Sequence, residues 1–470
     1  MTVTNMNYTA LLPEVVILAA SVITLLAGSY LPRNRQIFTR WFSLGALIVS
    51  AGAALIVLGQ PSTEIFSGTY AIDTPTTVIR IIAPVSAAIV IVLGREEFVG
   101  SARESETYAL LLLATLGTVV VAGATDLLVL MAGYLLASIP LYALIGLSRT
   151  ARAAEATLKT YLMGALFGVL LLAGLTLLTG LSGTSSYTGM TGALAHAPAP
   201  AVAAGIVGVI IGLLFKAGGV PGHFWVPDAA QASGIGVAAF LTTVPKLGAL
   251  VALARLVMIM PATIDVPVLV AVLAALSMSV GNLAALAQSN VRRLLGWSTV
   301  SQVGYLLMPV AVISLAKGAT SALLAYLVLY AITNLAVFAV VACFPVRDGL
   351  ADWAGIAKTH PWLTGALIIG ALSLVGTPPT AVFFGKLGVF TAAWDGGQGW
   401  LVVVAAANTV LSLVYYLRLF VSPFQRPKAG APEFPRSSVP YTVQAAALTL
   451  GATTLFLGLA TAAFGAIGSL

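Results

Sequence analysis

Apolar runs of about twenty residues, the length that crosses a bilayer as a helix, recur along nearly the whole chain with short polar turns between them. In hydrocarbon every backbone N–H and C=O has to be paired inside the chain, so runs of this kind fold as helices. Charged residues make up only 8% of the 470, against about 25% in a soluble protein. The chain is therefore read as an all-α polytopic membrane protein. We count about fourteen spans by length, at 11–31, 41–58, 78–93, 108–124, 126–147, 158–178, 201–215 with a continuation at 224–232, 237–258, 266–287, 294–313, 321–343, 361–375 with a continuation at 381–392, 401–420 and 443–464.

Basic residues alternate between the loops. Arg33, Arg35 and Arg40 follow the first run, Arg95 and Arg103 the third, Arg149 and Arg152 the fifth, Arg292 and Arg293 the ninth. Arg347 and Lys358 follow the eleventh, and Arg426, Lys428 and Arg436 the thirteenth. The even-numbered loops hold almost none, Lys317 being the exception. This bias puts the odd loops in the cytoplasm and both termini outside, and it fits an even number of spans. The formal charge of +7 reports the same bias, and no aromatic-interleaved basic patch suggests nucleic acid. The first Lys or Arg is Arg33, and Glu14 lies inside the first run, so that run is read as a retained helix and not as a cleaved leader.

Two runs are interrupted. Gly218, Gly219, Pro221 and Gly222 break the seventh, and Gly376, Pro378 and Pro379 break the twelfth. Irregular backbone at membrane depth is tolerated only where protein or water satisfies it, and broken helices in corresponding positions of two halves point to a transport site. A simple kink is the other reading of each break. Beside the breaks lie Lys216, which precedes the first, and Lys386, which follows the second; Lys246 follows Pro245 in mid-run. A lysine at mid-membrane costs about 2.5–3.5 kcal/mol on insertion scales. Three of them suggest a charge or proton pathway, the alternative being amines that reach the membrane edge.

Other residues fit the same pathway or ordinary packing. Glu155 and Lys159 are spaced i,i+4 with the acid first, a favourable helix ion pair. It reads either as a surface salt bridge or as part of a relay. Arg80 and Arg255 read as helix-end anchors. Ser298, Gln302 and Tyr305 share one helix face, as do Tyr326, Tyr330 and Asn334. Such stripes suit water chains or hydrogen bonds between helices. His223, just past the first break, reads as a loop histidine or a proton shuttle. The single cysteine, Cys343, leaves no intrachain disulfide and no thiolate cluster, and His196, His223 and His360 lack metal-ligand spacing. No P-loop, dinucleotide fingerprint or nucleophile arrangement is present, so energy for transport has to come from partner chains or ion gradients.

At these residues a resemblance becomes specific. The segment from Leu213 to Asp228, Leu-Leu-Phe-Lys-Ala-Gly-Gly-Val-Pro-Gly-His-Phe-Trp-Val-Pro-Asp, resembles the seventh-span signature of the antiporter-like membrane subunits of respiratory complex I. Gly376-Thr-Pro-Pro-Thr-Ala-Val-Phe-Phe-Gly-Lys386 resembles their twelfth-span signature, and the stretch from Asn290 to Tyr305 their tenth. Leu11-Leu-Pro-Glu14 and Gln302-Val-Gly are similar to the subunit N family of NADH-quinone oxidoreductase rather than to subunits L and M. The resemblance implies two inverted five-helix repeats with discontinuous helices 7 and 12. It divides the chain into a three-helix segment (1–106), a first repeat of helices 4–8 (107–260), a second of helices 9–13 (261–425) and a C-terminal helix (426–470).

It also implies roles. Lys216 matches the central seventh-span lysine, Lys246 the eighth-span relay lysine, Lys386 the twelfth-span lysine, and Glu155 with Lys159 the sixth-span Glu-x-x-x-Lys element. The chain would move protons while partner subunits reduce quinone. NADH, FMN, iron–sulfur clusters and quinone would be theirs, with no cofactor, metal or redox centre in this chain. Implied partners are the antiporter-like subunit M, the small subunits K and J and the bilayer of a bacterial inner membrane. One departure stands out. The family's fifth span carries a glutamate opposite the seventh-span lysine, and in Thr125-Asp-Leu-Leu-Val-Leu-Met-Ala-Gly-Tyr-Leu-Leu136 that position is Leu135. Lys216 is then expected to hold its proton less tightly or to find another partner such as Glu155. A subunit of a sodium/proton antiporter and a scaffold that has lost pumping are the other readings.

Overall fold

The computed structural model describes residues 8–427 and 439–468, so Lys428 and Arg436 lie outside the described residues. Helices α1 (Leu12–Tyr30), α2 (Ile37–Val57) and α3 (Thr74–Leu93) come first, with a hairpin of β1 (Thr63–Ile65) and β2 (Tyr70–Ile72) between α2 and α3. A short α4 (Arg95–Phe98) leads to α5 (Glu104–Gly123), α6 (Leu127–Gly146) and the long α7 (Ala151–Ser182). After α8 (Tyr187–Ala193) the first broken span is α9 (Ala199–Ala217) plus α10 (Trp225–Ala232), followed by α11 (Ile235–Ile259). Then come α12 (Val266–Leu286), α13 (Val291–Ala311), α14 (Ala319–Ala342) and a short α15 (Ile356–Thr359). The second broken span is α16 (Pro361–Val375) plus α17 (Ala381–Asp395), and α18 (Gly399–Val421) and α19 (Tyr441–Gly468) close the chain.

Among the described residues, twelve helices are long and apolar enough to cross a membrane. The polar α13 and the pair α16–α17 are not among the twelve. The sixth predicted span is longer than expected: α7 starts at Ala151, where the Thr150 side chain caps the Ala153 amide. The strands were not anticipated. Their three-residue ladder pairs Thr63 with Ile72, and Tyr70 bridges Ala124 at the end of α5. We call the membrane face with this hairpin the hairpin face, and the opposite one, where Arg152, Arg292 and Arg293 lie, the basic face.

Neighbour relations recur along the chain. α5 packs on α6, α7 on α9, and α11 on both α5 and α9; in the same way α12 packs on α13, α14 on α16, and α18 on both α12 and α16. The N-cap of α6, Asp126, bridges Ser186 in the loop after α7, at the hairpin face; the N-cap of α13, Asn290, bridges Gly349 in the loop after α14, at the basic face. Both breaks end the preceding half-helix in the same way. Gly218 and Gly376 take left-handed φ values of 82° and 89°, the region glycine enters without steric cost. Gly219 N bonds Leu214 O while Gly218 N bonds Phe215 O, and Thr377 N bonds Leu372 O while Gly376 N bonds Ser373 O. Each is a Schellman termination. Side chains cover the freed amides beyond: Ser277 Oγ accepts from Val220 N at 3.0 Å and Ser373 Oγ from Val382 N at 3.2 Å.

At the hairpin face Asp73 caps α3 by accepting from Thr76 N at 3.0 Å and pairs with Arg255 of α11 at 2.6 Å. Arg255 also donates to Ala122 O at 2.8 Å, so it anchors the end of α11 as expected. Burial alone would raise the Asp73 carboxyl, but the hydrogen bond and charge of Arg255, with Thr76, outweigh it and hold the group below its ordinary value. A lowered carboxylate contributes stability above the unfolded value, about 3.9, and loses it as pH falls through the folded value. We expect Asp73→Ala to cost about 1–2 kcal/mol through the lost cap, seen as a lower thermal midpoint in detergent. The acid-side loss of stability carried by this carboxylate should vanish with it.

Candidate functional site

The site grows from the two breaks. A helix that stops at mid-membrane leaves its last carbonyls without intrahelical donors and a partial negative charge at its end. Lys216 lies in the last turn of α9. Lys386, on α17, reaches back so that its Nζ donates to Val375 O, the last residue of α16, at 2.8 Å. The Lys386 amine thus sits at the C-terminal end of a half-helix, and Lys216 branches from the end of another. Trp225 Nε1 of α10 adds a second donor to Phe215 O, at 2.9 Å. Gly376 is needed twice here: a Cβ would face its positive φ and stand 2.7 Å from Lys386 Cδ.

None of the three lysines reaches the membrane edge. Lys216, Lys246 and Lys386 are exposed by only 3%, 1% and 3%. Lys216 Nζ donates to Ser138 Oγ at 3.0 Å and lies 5.9 Å from the Tyr134 ring, both on α6. Lys246 Nζ donates to Thr242 O and to Tyr330 Oη at 3.3 Å, 5.2 Å from that ring. Lys386 Nζ stands 4.0 Å from the Tyr305 ring. Ring faces attract cations more strongly when water is excluded. Among the described residues no carboxylate forms an ion pair with any of the three.

The two polar stripes read from the sequence interlock between Lys246 and Lys386. The Tyr330 hydroxyl donates to Thr242 O at 2.8 Å and pairs with Thr299 Oγ1 at 3.2 Å. Asn334 donates to Thr242 and Thr243. Tyr326 donates to Gln302 Oε1, and Gln302 Nε2 donates to Leu374 O at 2.9 Å, one residue from the carbonyl that holds Lys386. The Tyr305 hydroxyl pairs with Thr409 Oγ1 at 3.0 Å, and Ser298 pairs with Tyr416. Tyr134 Oη, Ser301 Oγ, Trp297 Nε1 and His223 Nδ1 are buried with no hydrogen-bond partner among the described residues. Such atoms are places for ordered water.

Glu155 and Lys159 lie elsewhere. They form the expected pair, at 2.5 Å, but at the basic face with side chains 64% and 52% exposed. Lys159 also pairs with Asp228 of α10 at 3.4 Å, and Arg293 holds Asp228 at 2.5 Å. Together with Arg152 and Gln231 they line a cavity of about 240 Å³. Glu155 is therefore not the substitute partner of Lys216; the hydroxyl of Ser138 and the ring of Tyr134 stand there instead. Leu135 turns outward with Leu128 and Ile139, at 42% exposure, while Tyr134 and Ser138 of the same helix face the lysine. Arg80 corrects a second expectation. It is fully buried and paired with Glu14 at 2.6 Å, not placed at a helix end.

Sequence reading placed α12 and α18 as spans but missed the polar side chains that join them. Tyr415 donates to Asn282 at 3.0 Å, Asn282 to Asn408 at 3.0 Å, and Asn408 to Ser279 at 3.2 Å. Asn408, Ser412, Tyr415 and Leu419 recur at spacings of three and four and are all buried. That period is a face, visible in the sequence once it is searched for polar rather than apolar recurrence.

Buried amines on the ends of broken, membrane-spanning helices define the class: an antiporter-like, proton-translocating membrane subunit. The family described as "NADH:quinone oxidoreductase/Mrp antiporter, TM" matches residues 124–412. The chain is 50% identical over 446 residues to NADH-quinone oxidoreductase subunit N of Mycobacterium sp. (strain JLS), covering 95% of each. It is 48% identical over 459 residues to subunit N 1 of Streptomyces griseus, covering 97% of this chain and 96% of the other. A chain of respiratory complex I from Thermus thermophilus superposes with a TM-score of 0.83 at 32% identity, over 95% of this chain and 97% of that one. A chain of the Mrp complex from Dietzia sp. gives 0.82 at 22% identity, over 98% and 96%, a likeness of fold. The chain belongs to the NADH-quinone oxidoreductase subunit N family, as a multi-pass membrane subunit of that complex.

Tyr330→Phe removes the hydroxyl that joins Lys246, Thr242 and Thr299 and leaves the ring in place. We expect fewer protons moved per electron pair by the assembled complex, with quinone reduction retained, measured in inverted membrane vesicles.

Proposed function

We propose that Lys216, Lys246 and Lys386 pass protons along a mid-membrane axis as partner subunits reduce quinone. The observation that carries this reading is that each amine is buried and held by hydroxyls, backbone carbonyls and aromatic faces, with no carboxylate among the described residues paired to it. Hydroxyls and carbonyls receive a proton-bearing amine, and a hydroxyl also donates to a neutral one, so the same contacts serve both states. Charge placed on one amine acts on the next through low dielectric, where Coulomb coupling is stronger than in water.

In this reading the basic face is cytoplasmic, both termini lie outside, and the membrane is the bacterial inner membrane. Glu155, Lys159, Asp228 and Arg293 form the cytoplasmic mouth, where the Glu155–Lys159 pair serves the relay. Fourteen crossings divide into a three-helix segment (1–106), inverted repeats (107–260 and 261–425) and a last helix (426–470). The recurring neighbour relations and the paired N-cap bridges support that division. NADH, FMN, iron–sulfur clusters and quinone act in partner subunits. Subunits M, K and J are the proposed neighbours.

Leu135 favours one second reading, a scaffold that has lost pumping, since Lys216 lacks the carboxylate its resemblance implies. Lys216→Ala, Lys246→Ala and Lys386→Ala are each expected to lower the proton-to-electron ratio severalfold in the assembled complex. Leu135→Glu, whose side chain turns away from Lys216, is expected to leave the ratio unchanged. An unchanged ratio in the triple lysine variant would mark the chain as a scaffold. Sodium-dependent proton exchange in vesicles without an electron donor would mark it as an antiporter.

A further inference from the structure

One buried group of charges takes no part in the lysine axis. Glu14 of α1, Arg80 of α3 and Tyr70 of β2 meet beneath the hairpin face. Arg80 Nε and the Tyr70 hydroxyl both donate to Glu14 Oε1, each at 2.6 Å. Arg80 is 0% exposed, Tyr70 5% and Glu14 7%. Arg80 Nη1, Arg80 Nη2 and Glu14 Oε2 are buried with no hydrogen-bond partner among the described residues. Bare donors beside a bare acceptor suit water, which both donates and accepts. An anion would meet the charge of Glu14.

Most of the way from the lysines to the hairpin face is apolar. Residues 127–133 of α6, 199–211 of α9, 266–276 of α12, 306–311 of α13 and 401–407 of α18 hold no polar side chain. From Leu247 to Ile259, α11 holds only Arg255, which bonds Asp73 and Thr76 at the start of α3. That contact sets the depth of its neighbours. Arg80 lies seven residues beyond Asp73 on α3, and Lys246 nine before Arg255 on α11. At 1.5 Å per residue they stand roughly 10 and 13 Å below the same ion pair. α3 packs against both α11 and α14, the helices of Lys246 and Tyr330.

We propose that Glu14, Arg80 and Tyr70 form a water-holding release site through which the proton of Lys246 reaches the hairpin face. This rests on the lysine-relay reading above. The Lys246 ammonium gives its proton through water to the Glu14 carboxylate: an N–H bond breaks and an O–H bond forms, leaving a neutral amine and a neutral acid. Arg80 then lacks its countercharge, which keeps the acid short-lived. Glu14 passes the proton to water beside Tyr70, and its carboxylate again faces Arg80. No electron moves.

The test is the proton-to-electron ratio of the assembled complex in inverted membrane vesicles, with difference infrared spectra of the carboxyl region. Glu14→Gln is expected to lower the ratio roughly twofold or more while quinone reduction persists. It should also remove a protonated-carboxyl band, a signal that a packing role would not produce. Tyr70→Phe keeps the ion pair and should lower the ratio by less; Glu14→Asp should retain the band and recover part of the ratio. If Glu14→Gln does not assemble, these two variants carry the test. A wild-type ratio and an unchanged band in the variants that assemble, with Lys246→Ala still impaired, overturn the release site and leave the relay standing. If Lys246→Ala is also unimpaired, the relay reading falls with it.

Discussion

Everything at the centre of this molecule depends on how a positive amine is held in hydrocarbon without a negative side chain. The unbroken backbone of a spanning helix offers little, because its carbonyls are already paired. Stopping a helix at mid-membrane frees carbonyls and brings the negative end of its dipole there. α9 and α16 both do this, and Lys216 and Lys386 lie at their ends. Lys246 uses the other device, a carbonyl of its own helix and a tyrosine of α14, inside α11, which its neighbours bury entirely. The breaks are thus not weak points of the fold. They supply backbone polarity at that depth, as Val375 O does for Lys386.

The two faces of the bundle differ in kind. Toward the basic face the helices carry Asn282, Asn408, Ser412, Tyr415 and Tyr416, all buried, and end in crossed ion pairs such as Arg293 with Asp228 and Arg292 with Asp348. Toward the hairpin face they are mostly aliphatic. Buried hydroxyls and amides are retained in lipid only when partners satisfy them, and each such bond contributes only about 0.6–2 kcal/mol. A dense network on one side and a dry layer on the other is a large asymmetry for a protein whose neighbour relations otherwise repeat. The buried Glu14–Arg80–Tyr70 group stands out because it interrupts that layer.

Much of the fold was legible in the sequence because bilayer thickness sets helix length and glycine–proline clusters mark breaks. The two broken spans, the buried lysines and the Glu155–Lys159 pair could be read from spacing alone. The hairpin could not, since three-residue strands leave no periodic trace. Arg80 was misplaced because an arginine seven residues into a span looks the same in sequence whether it faces water or a glutamate sixty-six residues away. The partners of Lys216 were missed for a related reason: Tyr134 and Ser138 became relevant only once the rotation of α6 turned Leu135 outward.

By itself, then, the sequence determined that this chain spans a membrane as helices, where two of those helices stop, and which amines were candidates for burial in hydrocarbon. Those follow from hydropathy and from the local chemistry of glycine and proline. Which atoms receive each amine, which carboxylates stay at the surface, and which half of the bundle is dry were decided only by tertiary packing. Rotation and crossing of helices bring together groups far apart in the chain, and no local pattern encodes those angles.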